Sequence, residues 1–250
     1  MSGRSSALIE LWSRMYEEKA PWLHNTDNAN IPATIAGEIA RLTTLELQSK
    51  VEGSPRAECM DAVYQQVLGK LRVQTEYAFA KGSMVFKPYI TPDGTIAVQY
   101  IQADMFFPLD FDSEKMTRCA FLDQFRKGNE IYSRIELYSL SGDVLSIKNH
   151  VFIARTEGIL GTEVPIGTVP RWAELAEEMQ FSGIQKLPIG YFTVPLGNNR
   201  DSGSPLGVSV YSRAIKQIED ADRRYMQINW EYDSKETAVH IAQSLLKYNP

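Results

Sequence analysis

The chain has 250 residues, 44% hydrophobic and 23% charged, with a net charge of -5 and a pI near 5.4. A chain of this size buries roughly three quarters of the surface it exposes when unfolded, so it forms one large or two small domains. The acidic balance argues against tight phosphate neutralisation, and no apolar run nears the roughly 20 residues that cross a bilayer.

The N-terminus, MSGRSSALIELWSR, lacks the apolar core of a secretion signal. Cys59 and Cys119 stand far apart and outside any C-x-x-C pattern, which fits a reducing compartment with buried or incidental thiols.

The first third reads as helical. Residues 7–19 form an amphipathic segment, and Ile31-Pro32 after Asn30 opens a second, with Ile31, Ile35, Ile39, Leu42 and Leu45 at helical spacing. Ser54-Pro55 opens a third, whose positions Met60, Val63, Val67, Leu71 and Ala78 predict one core-facing stripe. At Gly82 the apolar period shifts from about 3.6 to about 2.

From Met84 to Ile153 the pattern is β. MVFKPYI and TIAVQYI flank Thr91-Pro92-Asp93-Gly94 as a hairpin, and Pro88 marks its first strand as an edge. CAFLDQF and EIYSRIELYSL flank Arg126-Lys127-Gly128-Asn129. Ile131, Ser133, Ile135 and Leu137 alternate there with Tyr132, Arg134, Glu136 and Tyr138, which predicts a half-buried antiparallel strand. A strand through Val151-Phe152-Ile153 and a Gly- and Pro-rich loop over 158–170 follow; a short helix is expected over Trp172–Met179 and a strand over Gly190–Val194.

The last element is a long helix from Pro205 to Ile228, capped by Ser204 with Pro205 in its first turn. Tyr211, Ala214, Ile218, Ala221, Tyr225 and Ile228 recur at spacings of 3 and 4, a packing seam, with Ile218 between two small alanines. Arg213, Lys216, Glu219, Asp220, Asp222, Arg223 and Arg224 fall on the other faces. A stripe this narrow suits a helix shared between subunits, though an ordinary surface helix of a monomer has the same period. Together these elements predict an α+β fold with a projecting helix.

Motifs for chemistry are not found. His24, His150 and His240 lie in separate elements without metal-type spacing. Gly207-Val208-Ser209-Val210-Tyr211 begins like a nucleophile elbow but has Tyr211 where the second glycine is required. No phosphate-binding loop and no G-x-G-x-x-G occurs, so no nucleotide site is expected. Glu17-Glu18, Asp110/Asp112 and Asp220/Asp222 read as solvated faces rather than catalytic pairs, and Asp104-Met105-Phe106-Phe107-Pro108 as core. No catalytic residue, cofactor or metal is assigned.

Three separated stretches carry a resemblance: MYEEKAPWL, AKGSMVFKPYITPDGTIAVQYIQADMFFPLDFDS and SPLGVSVYSRAIKQIEDADRRYMQINWEYDSKETAV. In this order they resemble the portal proteins of tailed bacteriophages that infect Gram-positive hosts. RCAFLDQFRKGNEIYSRIELYSL and PRWAELAEE are similar too, so the likeness runs from Trp12 to about Tyr248.

The resemblance implies a wing-like α+β domain over 1–203, a stem-like helix over 204–230 and the start of a clip-like region over 231–250. The rest of the clip, a second stem helix, a tunnel loop and a crown would have no counterpart, so the sequence is expected to be the N-terminal part of a longer portal. The implied function is that of a ring subunit, dodecameric in relatives, at one capsid vertex through which DNA is packaged and ejected. Implied partners are identical subunits, the terminase motor, the major capsid and scaffolding proteins and the head–tail adaptor. Double-stranded DNA would pass without tight binding and no membrane is involved; the protein would reside in the virion, and in the host cytoplasm during assembly. A minor head protein and a cytosolic α+β enzyme are the alternatives.

Overall fold

The structure is a computed structural model that describes residues 3–23, 28–112, 115–201 and 204–246. Three helices come first: α1 (Gly3–Tyr16), α2 (Ile31–Thr44) and α3 (Pro55–Lys81). Ser54 caps α3, its hydroxyl accepting from the Ala57 N–H at 3.1 Å, and Gly82 closes the other end with a left-handed φ of 95°. The expected single stripe on α3 deepens toward that end, with Val63, Val67 and Leu71 half-buried. Ala78 is fully buried, whereas Met60 is 54% exposed, because only the last turns pass under the sheet.

Two antiparallel sheets follow. One has the order β2-β1-β9, built from β1 (Ser83–Ile90), β2 (Ile96–Gln102) and β9 (Gly190–Thr193). The other runs from β3 (Phe106–Asp112) through β4 (Lys115–Lys127) and β5 (Glu130–Ser141) to β6 (Val144–Ala154). The short strands β7 (Thr162–Val164) and β8 (Glu178–Ser182) both pair with β6. The chain is therefore α+β.

The strand containing Pro88 is not an edge: β1 lies between β2 and β9. Pro88 is tolerated because β9 pairs only with Ser83–Phe86 and ends before the missing N–H would be needed. The helix expected over Trp172–Met179 is also replaced. Residues 170–175 form turns, and Glu178 onward enters β8 opposite Lys148, where the open side of β6 supplies a ladder.

The layers follow from strand alternation. Met84 and Phe192 face the helices, where Phe79 meets Phe192 edge-on with ring centres 6.3 Å apart. Val85, Ile101 and Tyr191 face the larger sheet and join Phe106, Cys119, Phe121, Tyr138 and Ile147 in a second core. β5 is consequently covered on both faces rather than half-buried, with Ser133 at 0% and Tyr138 at 5% exposure. Phe106 at 1% bears out the core reading of its segment, although Met105 is 37% exposed.

The C-terminal helix, α4, spans Ile215–Leu246. The expected start at Ser204-Pro205 is incorrect. Residues 206–209 are buried, and the Val210 N–H donates to the Phe79 carbonyl at 3.0 Å. Gly207 makes this path possible, because its backbone crosses Gly82 so closely that a Cβ on either glycine would strike the other's carbonyl. A Gly- and β-branched-rich run has little helix propensity to oppose that packing. The expected end at Ile228 is corrected as well, since α4 continues without a break through 230, where a separate clip-like region was expected.

Candidate functional site: the C-terminal helix and its anchor

The six expected seam residues divide into two groups. Tyr211 and Ile218, 1% and 3% exposed, belong to the core formed with Ile9, Trp12, Met15, Ala36, Ala40 and Phe79, and Ala214 packs against it. The Tyr211 hydroxyl donates to the Trp12 carbonyl at 2.8 Å. This half of the seam holds the helix to its own body, so the boundary placed at 203 falls too early. Ala221 is half-buried, and Tyr225 and Ile228 are 42% and 52% exposed.

Asp222 marks the point where the anchor ends. Read from sequence as part of a solvated face, it is 3% exposed and accepts from Trp22 Nε1 at 2.9 Å and from the Ala29 N–H at 3.3 Å. Both donors belong to the strap between α1 and α2, so one carboxylate ties strap to helix. Such pairing is what a buried charge requires. Its neighbour Asp220 is exposed and pairs with Lys216 at 3.0 Å, as a surface residue should.

Beyond Asp222, Arg223, Arg224, Tyr225, Gln227, Ile228, Trp230, Glu231 and Tyr232 are all exposed. At about 100° per residue, Ala221, Tyr225, Ile228 and Tyr232 share one side of α4, while Met226 and Trp230 share another about 150° round. Trp230 and Tyr232, 67% and 69% exposed, are the most open aromatic side chains among the described residues.

A second polar feature, unforeseen from sequence, lies between the sheets. The register places Asp123 opposite Arg134 and Phe121 opposite Glu136, so these four share the face turned toward β1. Lys87 reaches Glu136 at 2.5 Å, and Arg134 lies 3.4 Å from the same carboxylate oxygen. The Lys87 ammonium also sits over the rings of Phe121 and Tyr138, 4.9 and 5.5 Å from their centres. Asp123 accepts from Trp172 Nε1 at 3.0 Å and from Arg171 at 3.2 Å. Lys81, 6% exposed at its side chain, pairs with Asp104 at 2.6 Å.

These groups line a cleft of about 380 Å³ in which every cation already faces a carboxylate. That arrangement ties the two sheets together. Burial raises the Cys119 thiol to about 12 and pushes the Tyr138 hydroxyl above the usual phenol range, the latter helped by Glu136. Neither is prepared to act as a nucleophile at neutral pH. Arg134 and Glu136 were visible as a polar face within an apolar strand, and Pro88, read as an edge signal, hid the strand that covers them.

Among the described residues, no group of three or more His, Cys, Asp or Glu side chains is placed to hold a metal ion. His24 lies outside the described residues, as does the side chain of His240, and His150 pairs at 2.7 Å with Glu163 on the surface. No described helix is long and apolar enough to cross a membrane. No model of a known protein family matches the chain, and no curated protein sequence matches it.

Proposed function

We propose that the chain is a portal-type ring subunit of a tailed bacteriophage, placed at one capsid vertex and lining a channel for double-stranded DNA. The observation that carries this reading is the largely exposed stretch of α4 from Arg223 to Tyr232. Tyr225, Ile228 and Tyr232 form an apolar side, with Met226 and Trp230 as a smaller apolar pair about 150° round beside Arg223, and a helix in a closed ring of about twelve copies meets its two neighbours along directions separated by about that angle. An isolated two-fold dimer needs only one such side. The order of the three resembling stretches and the succession of helices, antiparallel sheets and long helix support the same reading.

A net charge of -5 suits a passage wall, since a polyanion gains no counterion-release energy by stopping there. In this role the terminase, capsid, scaffold and adaptor proteins are the expected partners, and packaging energy comes from a separate motor.

The test is a pair of charges on the free side. Tyr225→Asp with Ile228→Asp changes two exposed positions, so circular dichroism and Tm stay within about 2 °C of the parent while association is lost in size-exclusion chromatography. Unchanged association of the double variant overturns the assignment of these residues to a subunit contact.

A further inference from the structure

The cleft between the two sheets is balanced in charge but not in hydrogen bonding. Its cations, Lys81, Lys87 and Arg134, stand against the carboxylates of Asp104, Asp123 and Glu136. Two buried polar atoms of that lining nonetheless have no hydrogen-bond partner among the described residues: Arg134 Nε, a donor, and Asp104 Oδ1, an acceptor. The other polar atoms of both side chains are engaged. Arg134 Nη1 donates to Asn149 at 3.1 Å and Nη2 lies 3.4 Å from Glu136 and 3.8 Å from Asp123, while Asp104 Oδ2 accepts from Lys81 at 2.6 Å. Gln99, exposed and opposite Lys87 in the β1–β2 register, adds a side-chain amide to the same lining. A buried donor and a buried acceptor left open each carry a desolvation cost that a bound group offsets. One occupant that serves both must donate as well as accept.

We propose that this cleft binds a small neutral polyol of the saccharide class, whose hydroxyls accept from Arg134 Nε and donate to Asp104 Oδ1. A hydroxyl is donor and acceptor at once, which matches two open atoms of opposite kind. The balanced charge of the lining selects against a ligand with net charge, because such a ligand would lose its hydration and find no counter-charge left to meet it. The rings in the lining are already in use, which disfavours a flat aromatic ligand. Phe121 is 4% exposed, with the Lys87 ammonium over its ring and Phe106 and Tyr138 against it, and Tyr100 carries Lys70 over its ring and Phe86 edge-on. The volume of about 380 Å³ falls at the lower end of small-molecule sites, roughly 300–1,000 Å³, and suits one or two sugar rings rather than a longer chain. The site lies within one body and needs no second copy, so it stands apart from the ring reading.

The whole chain labelled with ¹⁵N-arginine provides the test, the Arg134 Nε–H peak being identified by its loss in Arg134→Lys. Glycerol, methyl α-glucoside and sucrose are the polyol probes, and acetate and methylammonium the charged ones. At least one polyol should shift the Arg134 peak saturably with a Kd below about 10 mM, and neither ion should. Arg134→Lys keeps the charge but removes the Nε–H, and should weaken that polyol at least about tenfold in saturation-transfer NMR. Gln99→Ala should weaken it at least about threefold with Tm unchanged; because Gln99 is exposed, this variant reports on the site whether or not Arg134→Lys folds. Saturable binding of acetate or methylammonium in place of the polyols overturns the neutral class. Absence of saturation by every polyol up to about 100 mM overturns the site and leaves both atoms to solvent. Polyol binding that neither variant weakens lies elsewhere and overturns it equally.

Discussion

Lys87 and Glu136 form the innermost ion pair among the described residues, their side chains 8% and 10% exposed between two apolar sheet faces. Removing one partner leaves the other charged and desolvated, whereas replacing both with apolar groups leaves only Arg134, which keeps Asp123 at 3.8 Å. Glu136→Gln should therefore lower unfolding stability by about 3 kcal/mol, and Lys87→Met combined with Glu136→Leu by less than half of that, as measured by urea titration. Equal losses would mean that the pair is already wet. The same core sets an alkaline limit. Burial raises Cys119 to about 12 and moves Tyr211 and Tyr138 upward as well, so the folded chain holds these protons more tightly than the unfolded one. Their contribution is whole about a unit or more below the ordinary thiol value of about 8.5, and declines as pH rises from there toward 12. The urea midpoint should fall steadily between pH 8.5 and 10.5; a constant midpoint would show that Cys119 and the tyrosines ionise alike in both states.

At the scale of elements, α4 divides by burial into an anchored stretch to Asp222 and a largely exposed stretch over Arg223–Tyr232. Ile218→Asp places a carboxylate in the body core and should destabilise the monomer by about 4 kcal/mol or more, visible as a lost or strongly lowered Tm. A folded Ile218→Asp chain that merely fails to associate would restore the continuous seam expected from the sequence. Asp222→Ala removes the acceptor for Trp22 and Ala29, and should speed hydrogen exchange in residues 20–23 and 28–30 at least about tenfold while α2 and α3 keep their protection. Much of this architecture was legible in the sequence. Ser54-Pro55, Gly82, the 91–94 turn and the Gly128-Asn129 turn act through local backbone preferences, and each stands where the pattern put it. The start of α4 was not legible, because it depends on the Gly82–Gly207 crossing between segments 125 positions apart. Nor was the burial of Asp222, whose donors lie about 200 positions away. For the seam, period 3.6 identified which residues share a side but carried no information about whether their own body or another copy covers them.

The whole molecule is a weakly acidic α+β body with a long C-terminal helix. Duplex DNA should bind no better than about 10⁻⁴ M at physiological salt, the weak end of non-specific association, in a fluorescence anisotropy titration. Nanomolar binding with a steep salt slope would reveal a basic surface that the net charge of -5 conceals. Closure into a ring is proposed for the molecule as a whole, and native mass spectrometry of the whole chain reads it out. Monomer should give way, as concentration rises, to one closed species of about twelve copies. Monomer alone at every concentration, or a stable dimer that grows no further, would contradict it.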